Sequence, residues 1–263
     1  MSLIEEEKNN SKKYRLLDEI IDYDNQKVKI VKLTSDNVSR VEAMIATNSD
    51  YKQTEIGDDA ITYRSDGKVK YIGSSRFWIL QLKEILDTNL KISSKGFSYE
   101  EIITNIIIAI DNETSTHLNS DKMGRKIIRD RILSLKRKDF KKLLKDEKKE
   151  YKLIKYIQTP QYEGEKNHFS FATKFCHYVS LIIFEGTEYE DNYSIYDNVL
   201  KKSLCKYIKR YLNLEINEKS FENDYAKYIG YIDNIRNKAE ELYGKKISRN
   251  GFDHLIWYYH KGK

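Results

Sequence analysis

The chain holds a single proline, Pro160, only two cysteines, Cys176 and Cys205, and 11 glycines in 263 residues. Two cysteines are too few for a disulfide framework or a thiolate metal cluster, and both stand in apolar helical contexts that predict buried thiols. The five histidines, His117, His168, His177, His254 and His260, show no HExxH or comparable ligand spacing, so neither a metal nor another cofactor is expected. No carboxylate cluster with metal-binding spacing stands out either, which argues against a metal-dependent nuclease. No run approaches the roughly 20 apolar residues that span a bilayer. The segment Met1 to Glu7 lacks the basic and apolar regions of a signal peptide, so a cytoplasmic protein is expected.

What is present is a charged chain with enough apolar residues for a substantial core: 33% charged and 40% apolar. Residues 1–98 read as mixed. Val28 to Leu33 alternates like a short strand, and Ile61 to Ile72 reads as a hairpin around Asp66-Gly67, with helices at Val38 to Ala46 and Phe77 to Leu86. Ser98 followed by Glu101 forms a capping box that starts a helix from Tyr99 to about Asp111. Beyond it the pattern is helical at about Asp121 to Glu147, Leu153 to Ile157, Phe169 to Phe184, Asn198 to Leu212, Glu218 to Tyr243 and Gly251 to His260. The expected fold class is mainly α, with a smaller mixed α/β N-terminal region over 1–98 and a helical domain over 99–263.

The net charge of +6 is unevenly spread. From Lys122 to Lys149 the basic residues include Lys122, Arg125, Arg129, Lys136, Lys141, Lys145 and Lys148, against few acids. Ile127, Ile128, Ile132, Leu135, Phe140, Leu143 and Leu144 interleave at helical spacing, which predicts one or two amphipathic helices with a basic outer face. Such a face suits a phosphate backbone, whose binding energy comes largely from displaced counterions; it equally suits a solvated lysine-rich helix.

The sharpest chemical signal is Lys174, inside Ser170-Phe171-Ala172-Thr173-Lys174-Phe175-Cys176-His177-Tyr178 on a helix that otherwise reads as buried. Asp197 stands 23 residues on, at the start of the next helix. Burial of an amine raises its free-base fraction, and a carboxylate at a following helix start is a known companion of a nucleophilic lysine. The plain alternatives are a lysine snorkelling from a core helix and an aspartate whose role is N-capping, worth about 1 kcal/mol.

Thr173-Lys174 followed by Tyr196-Asp197-Asn198-Val199 resembles the catalytic segment of the 8-oxoguanine DNA glycosylases of the helix-hairpin-helix superfamily. The likeness covers about residues 160 to 200. It is closest to bacterial proteins of that fold with a Ser-Phe-Ala-Ser/Thr-Lys-Phe segment, a Tyr-x-Ile-Tyr-Asp segment and a Trp near the C-terminus, here Ser170 to Phe175, Tyr193 to Asp197 and Trp257. The resemblance implies a helix-hairpin-helix glycosylase-like core and a bifunctional glycosylase and AP lyase acting on DNA, in base excision repair or in defence against phage DNA. A non-catalytic nucleic-acid-binding or defence protein of the same fold is the other expectation. Lys174 would be the Schiff-base nucleophile and Asp197 the supporting carboxylate. A flipped base would be met by His177, Tyr178, Phe252 and Trp257, although each of these also reads as a packing residue. DNA contacts fall to Lys122, Arg125, Arg129 and Lys136 of the basic run. The chain departs from the family in lacking the hairpin glycines before Thr173; Lys166 and Asn167 stand where backbone amides would meet a phosphate. Tyr178 replaces the family's small cysteine.

Overall fold

The computed structural model describes residues 15–47, 62–63, 69–71, 73–114, 116–118, 123–160 and 167–261. Its elements follow the order β1 (Asp18–Tyr23), β2 (Gln26–Val31), α1 (Ser35–Thr47), β3 (Thr62–Tyr63), β4 (Val69–Tyr71), α2 (Ser75–Thr88), α3 (Tyr99–Thr114), α4 (Gly124–Ser134), α5 (Arg137–Lys145), α6 (Lys152–Gln158), α7 (Phe169–Ile183), α8 (Asn198–Leu212), a 3-10 turn (Glu218–Ser220), α9 (Tyr225–Tyr243) and α10 (Arg249–His260). The protein is mainly helical with a small antiparallel hairpin near its N-terminus. It divides into two units, one made of 1–52 with 197–263 and the other of 53–196. This division differs from the boundary expected near residue 98, because α2, which precedes that point, packs on α3 and α7, which follow it.

In the first unit β1 and β2 pair from Asp18↔Val31 to Tyr23↔Gln26. The two residues between them, Asp24 and Asn25, have φ of 50° and 57°. That is the backbone of a type I′ turn, whose twist matches the flanking strands and which Asp and Asn tolerate better than most side chains. The sequence pattern had marked the second strand but not the first: in Asp18–Tyr23 only Ile21 is buried while Ile20 is exposed, so the apolar alternation is faint.

Two tyrosines of α8 complete the backbone bonding beyond this hairpin. The amide of Val31 donates to Tyr207 Oη at 3.2 Å and that of Leu33 to Tyr211 Oη at 3.4 Å. Residues four apart on a helix rise about 6 Å, close to the roughly 6.6 Å between alternate residues of a strand, so an i, i+4 tyrosine pair matches an i, i+2 amide pair. The rings lie parallel, 4° apart in orientation at 6.5 Å. Tyr207 also bonds His260 Nε2 at 3.0 Å, and burial pushes its hydroxyl well above the ordinary tyrosine range.

Helix α10 starts at Ser248, whose Oγ accepts from Gly251 N at 2.9 Å, and packs on α1. A Cβ at Gly251 would stand 2.9 Å from Val38 Cγ1 and 3.1 Å from the capping oxygen. Alanine would gain up to about 1 kcal/mol in helix propensity, but the branched Val38 is stiff at χ1 and overpacking costs about 1–3 kcal/mol. Gly251→Ala is therefore expected to lower stability by about 1 kcal/mol, read as a lower urea midpoint with an unchanged m-value.

In the second unit, α3 supplies the centre of the core with Ile102, Ile103, Ile106, Ile107 and Ile110, all buried. Its capping box forms as expected: Glu101 N donates to Ser98 Oγ at 3.3 Å and Ser98 N to Glu101 Oε2 at 2.8 Å. The helix expected over 121–147 is broken. Leu135 and Lys136 are extended, with ψ of 136° and 143°, and divide α4 from α5. The break lets two apolar faces reach the core separately, Ile128 and Ile132 from α4 and Phe140 and Leu144 from α5. Phe140 meets Phe175 of α7 edge to face at 6.3 Å. In the same way the helix expected from Glu218 begins at Tyr225, after a separate 3-10 turn. The hairpin expected over Ile61 to Ile72 pairs Thr62 with Tyr71 and Tyr63 with Val69; its turn, including Asp66-Gly67, lies outside the described residues.

Candidate catalytic lysine and its surroundings

Helix α7 is apolar almost all round, which by itself predicts a helix enclosed by others. It packs against α2, α3, α5 and α6, and Phe171, Ala172, Thr173, Phe175, Cys176, Val179 and Ser180 are all buried. Lys174 is 8% exposed, and its Nζ donates to the carbonyl of Thr114 at 3.0 Å. Thr114 is the last residue of α3, where backbone carbonyls have no partner within the helix and carry its partial negative charge. The lysine thus satisfies an orphan carbonyl.

Thr173 is completely buried and bonded twice: its Oγ1 donates to Ser170 O at 3.0 Å and accepts from Tyr196 N at 3.1 Å. Tyr196 closes the second unit, and the next residue, Asp197, begins the later part of the first. Within its own unit Asp197 is the N-cap of α8: Oδ1 accepts from Leu200 N at 2.9 Å with the backbone at φ −133° and ψ 176°. The capping role read from the sequence is therefore present.

The nominated base-pocket residues fall into different settings. His177 is 2% exposed with Nδ1 3.0 Å from Tyr193 O. Its ring lies edge-on to the half-buried Tyr178, with centroids 5.2 Å apart. With Lys174 these two share a helical face at i, i+3 and i+4. Phe252 is a correction: it is fully buried in the first unit's core against Tyr207, at 6.3 Å, with no face open to a base. Trp257 is half-buried and carries Lys261 Nζ over its ring at 3.9 Å.

The basic run is likewise sorted by its partners. Arg125 is committed to Asp111 and Asn112: Nε reaches Asp111 Oδ2 at 2.8 Å, Nη2 the same oxygen at 2.6 Å and Asn112 Oδ1 at 2.8 Å. Those bonds occupy Nε and Nη2, one edge of the guanidinium. Arg129 pairs with its neighbour Asp130 at 2.7 Å. Lys136 is exposed at the cap of α5. Lys122 and Lys166 lie outside the described residues. Asn167 accepts from Phe169 N at 2.9 Å, just ahead of the α7 cap residue His168. Other exposed lysines of this region include Lys126, Lys138, Lys142, Lys148, Lys149 and Lys155. The last of these, with Lys152, Tyr156 and Thr159, lines a groove of about 360 Å³ along α6.

Neither thiol is set up as a nucleophile. Burial pushes Cys176 well above the ordinary thiol range and Cys205 up to about 11, and the thiolate is the reactive form. Among the described residues no group of three or more His, Cys, Asp or Glu side chains is placed to hold a metal ion, and no helix is long and apolar enough to cross a membrane. Sequence reasoning missed Thr114 and Asp111 as members of this region: a backbone carbonyl has no residue signature, and Asp111 read only as a helix end. Comparison with protein-family models, with curated proteins and with solved structures found no match.

Proposed function

We propose that the chain is a DNA glycosylase with associated AP-lyase activity, removing a damaged or modified base of the 8-oxoguanine kind, with Lys174 as nucleophile and Asp197 as supporting carboxylate. The observation that carries this reading is an amine held at 8% exposure on an otherwise buried helix, beside a threonine bonded to the residue before Asp197.

Breaking the glycosidic bond builds positive charge on the sugar, which a fixed carboxylate stabilises without reorganising. The neutral amine of Lys174 bonds to C1′ as the bond to the base breaks, and the base leaves with the electron pair and takes up a proton. Loss of the amine proton and opening of the sugar ring leave a Schiff base. Removal of a C2′ proton then expels the 3′-phosphate and nicks the strand. Before any of this the lysine must give up a proton and the Thr114 carbonyl. The target base must leave the duplex, at a cost of a few kcal/mol, and exposed lysines of α4 to α6 supply the charge that holds the backbone. Repair of oxidised guanine and excision of modified bases from phage DNA are both uses of this chemistry.

Incubation with labelled oligonucleotides carrying 8-oxoguanine or an abasic site, followed by borohydride, tests the assignment. Wild-type protein is expected to give a covalent adduct and Lys174→Gln none. DNA binding without an adduct on either substrate would overturn catalysis on these lesions and favour a binding-only protein, to which the same exposed lysines are suited.

A further inference from the structure

Arg125 and Asp111 stand out because so much bonding converges beside the partner of Lys174. Asp111 is 4% exposed and its carboxylate accepts from Thr116 Oγ1 at 2.6 Å and Leu118 N at 2.9 Å, besides both contacts from Arg125. Its bonds therefore join the last turn of α3 to the chain that follows it and to α4. The two residues after it are fixed as well. Asn112 accepts from Arg125, and Glu113 accepts from Ser75 N at 2.8 Å and Ser75 Oγ at 2.5 Å at the start of α2. Thr114 Oγ1 turns back to Ile110 O at 2.6 Å. Helix ends fray when nothing holds their last carbonyls. Here four successive residues, 111 to 114, are each tied down, and the carbonyl of the last is the one Lys174 holds.

We propose that the Arg125–Asp111 pair is a positioning device for Lys174: it fixes the end of α3 so that the Thr114 carbonyl keeps the lysine amine in one place. Arg125 acts through Asp111 and Thr114 and not by touching nucleic acid. The proposal rests on Lys174 being the reactive lysine, but its central claim concerns the amine alone and is measurable without DNA. Loss of the clamp loosens the carbonyl, removes part of the stabilisation of the ammonium and frees the amine at lower pH.

The test is reductive methylation of the whole protein with formaldehyde and cyanoborohydride across a pH series, with labelling at Lys174 read by peptide mass spectrometry. In Arg125→Met the labelling midpoint is expected to fall by about half a pH unit or more, the size of change that loss of one good hydrogen-bond acceptor produces. Gly251→Ala, which weakens the other unit, is expected to leave the midpoint where it is in wild type. Arg125→Lys, which keeps charge but not the fork, is expected to fall between. Equal midpoints in wild type and Arg125→Met, or an equal shift in Gly251→Ala, would overturn the proposal. A shifted midpoint in a protein that forms no borohydride adduct with DNA would uphold the clamp while sinking the glycosylase reading. An adduct with an unshifted midpoint would do the reverse.

Discussion

Asp197→Asn is expected to slow base excision by about 10²–10³-fold while leaving the melting temperature almost unchanged. Asparagine caps a helix as well as aspartate does, so the bond to Leu200 N at 2.9 Å has a substitute and α8 keeps its start. What the substitution removes is the negative charge that the proposed mechanism places near the developing sugar cation. Asp197→Ala separates the two roles from the other side: it loses the charge and the cap together, with about 1 kcal/mol of stability lost. Single-turnover excision and thermal unfolding on the same preparations check both. Equal excision rates in wild type and Asp197→Asn would reduce Asp197 to a cap.

The largest effect on stability is expected from Asp111→Ala. The carboxylate is almost fully buried and accepts from two side chains and one backbone amide, and removing it strands the Leu118 amide and most of the Arg125 fork. Breaking a buried pair by removing one partner costs about 3–5 kcal/mol; because Arg125 is about a quarter exposed, about 2–4 kcal/mol is the better expectation. The pH dependence has a definite sign. Although burial opposes the charge, the bonds from Thr116, Leu118 and Arg125 together hold the Asp111 carboxyl below the ordinary aspartate range. Its contribution is therefore fully present above the unfolded value near 4 and is lost as pH falls through the lower, folded value. Denaturant midpoints of wild type and Asp111→Ala are expected to differ most at neutral pH and to converge in acid.

Much of the helical layout was legible because caps are local. Ser98 with Glu101 and Asp197 with Leu200 mark two helix starts to the residue, and the apolar run of α7 gave its extent within one position. Elements set by distant partners were not legible. Leu135 and Lys136 have no proline or glycine to announce a break; they are extended because α4 and α5 deliver their apolar faces to different parts of the core. β1 was missed because its register is set by the Asp24-Asn25 turn and by burial of one isoleucine out of two. At the candidate site the buried lysine and the helix cap were named from the sequence, while the lysine's acceptor was not. Arg125 was read as one cation in a basic run, and its bonds to Asp111 and Asn112 had no signature in the sequence.

That the first unit is assembled from 1–52 and 197–263 has a consequence during synthesis. The ribosome finishes residues 53–196 before most of α8 exists, so the unit bearing Lys174 is free to fold while the other waits. At about 5–20 residues per second, the wait for Tyr207 and Tyr211 after Val31 and Leu33 emerge is about 9–36 seconds. Through that interval the amides of Val31, at the end of β2, and Leu33, just beyond it, have no tyrosine to receive them. An uncovered strand edge is a template for another chain, so crowded polysomes are where this protein is most exposed to mispairing.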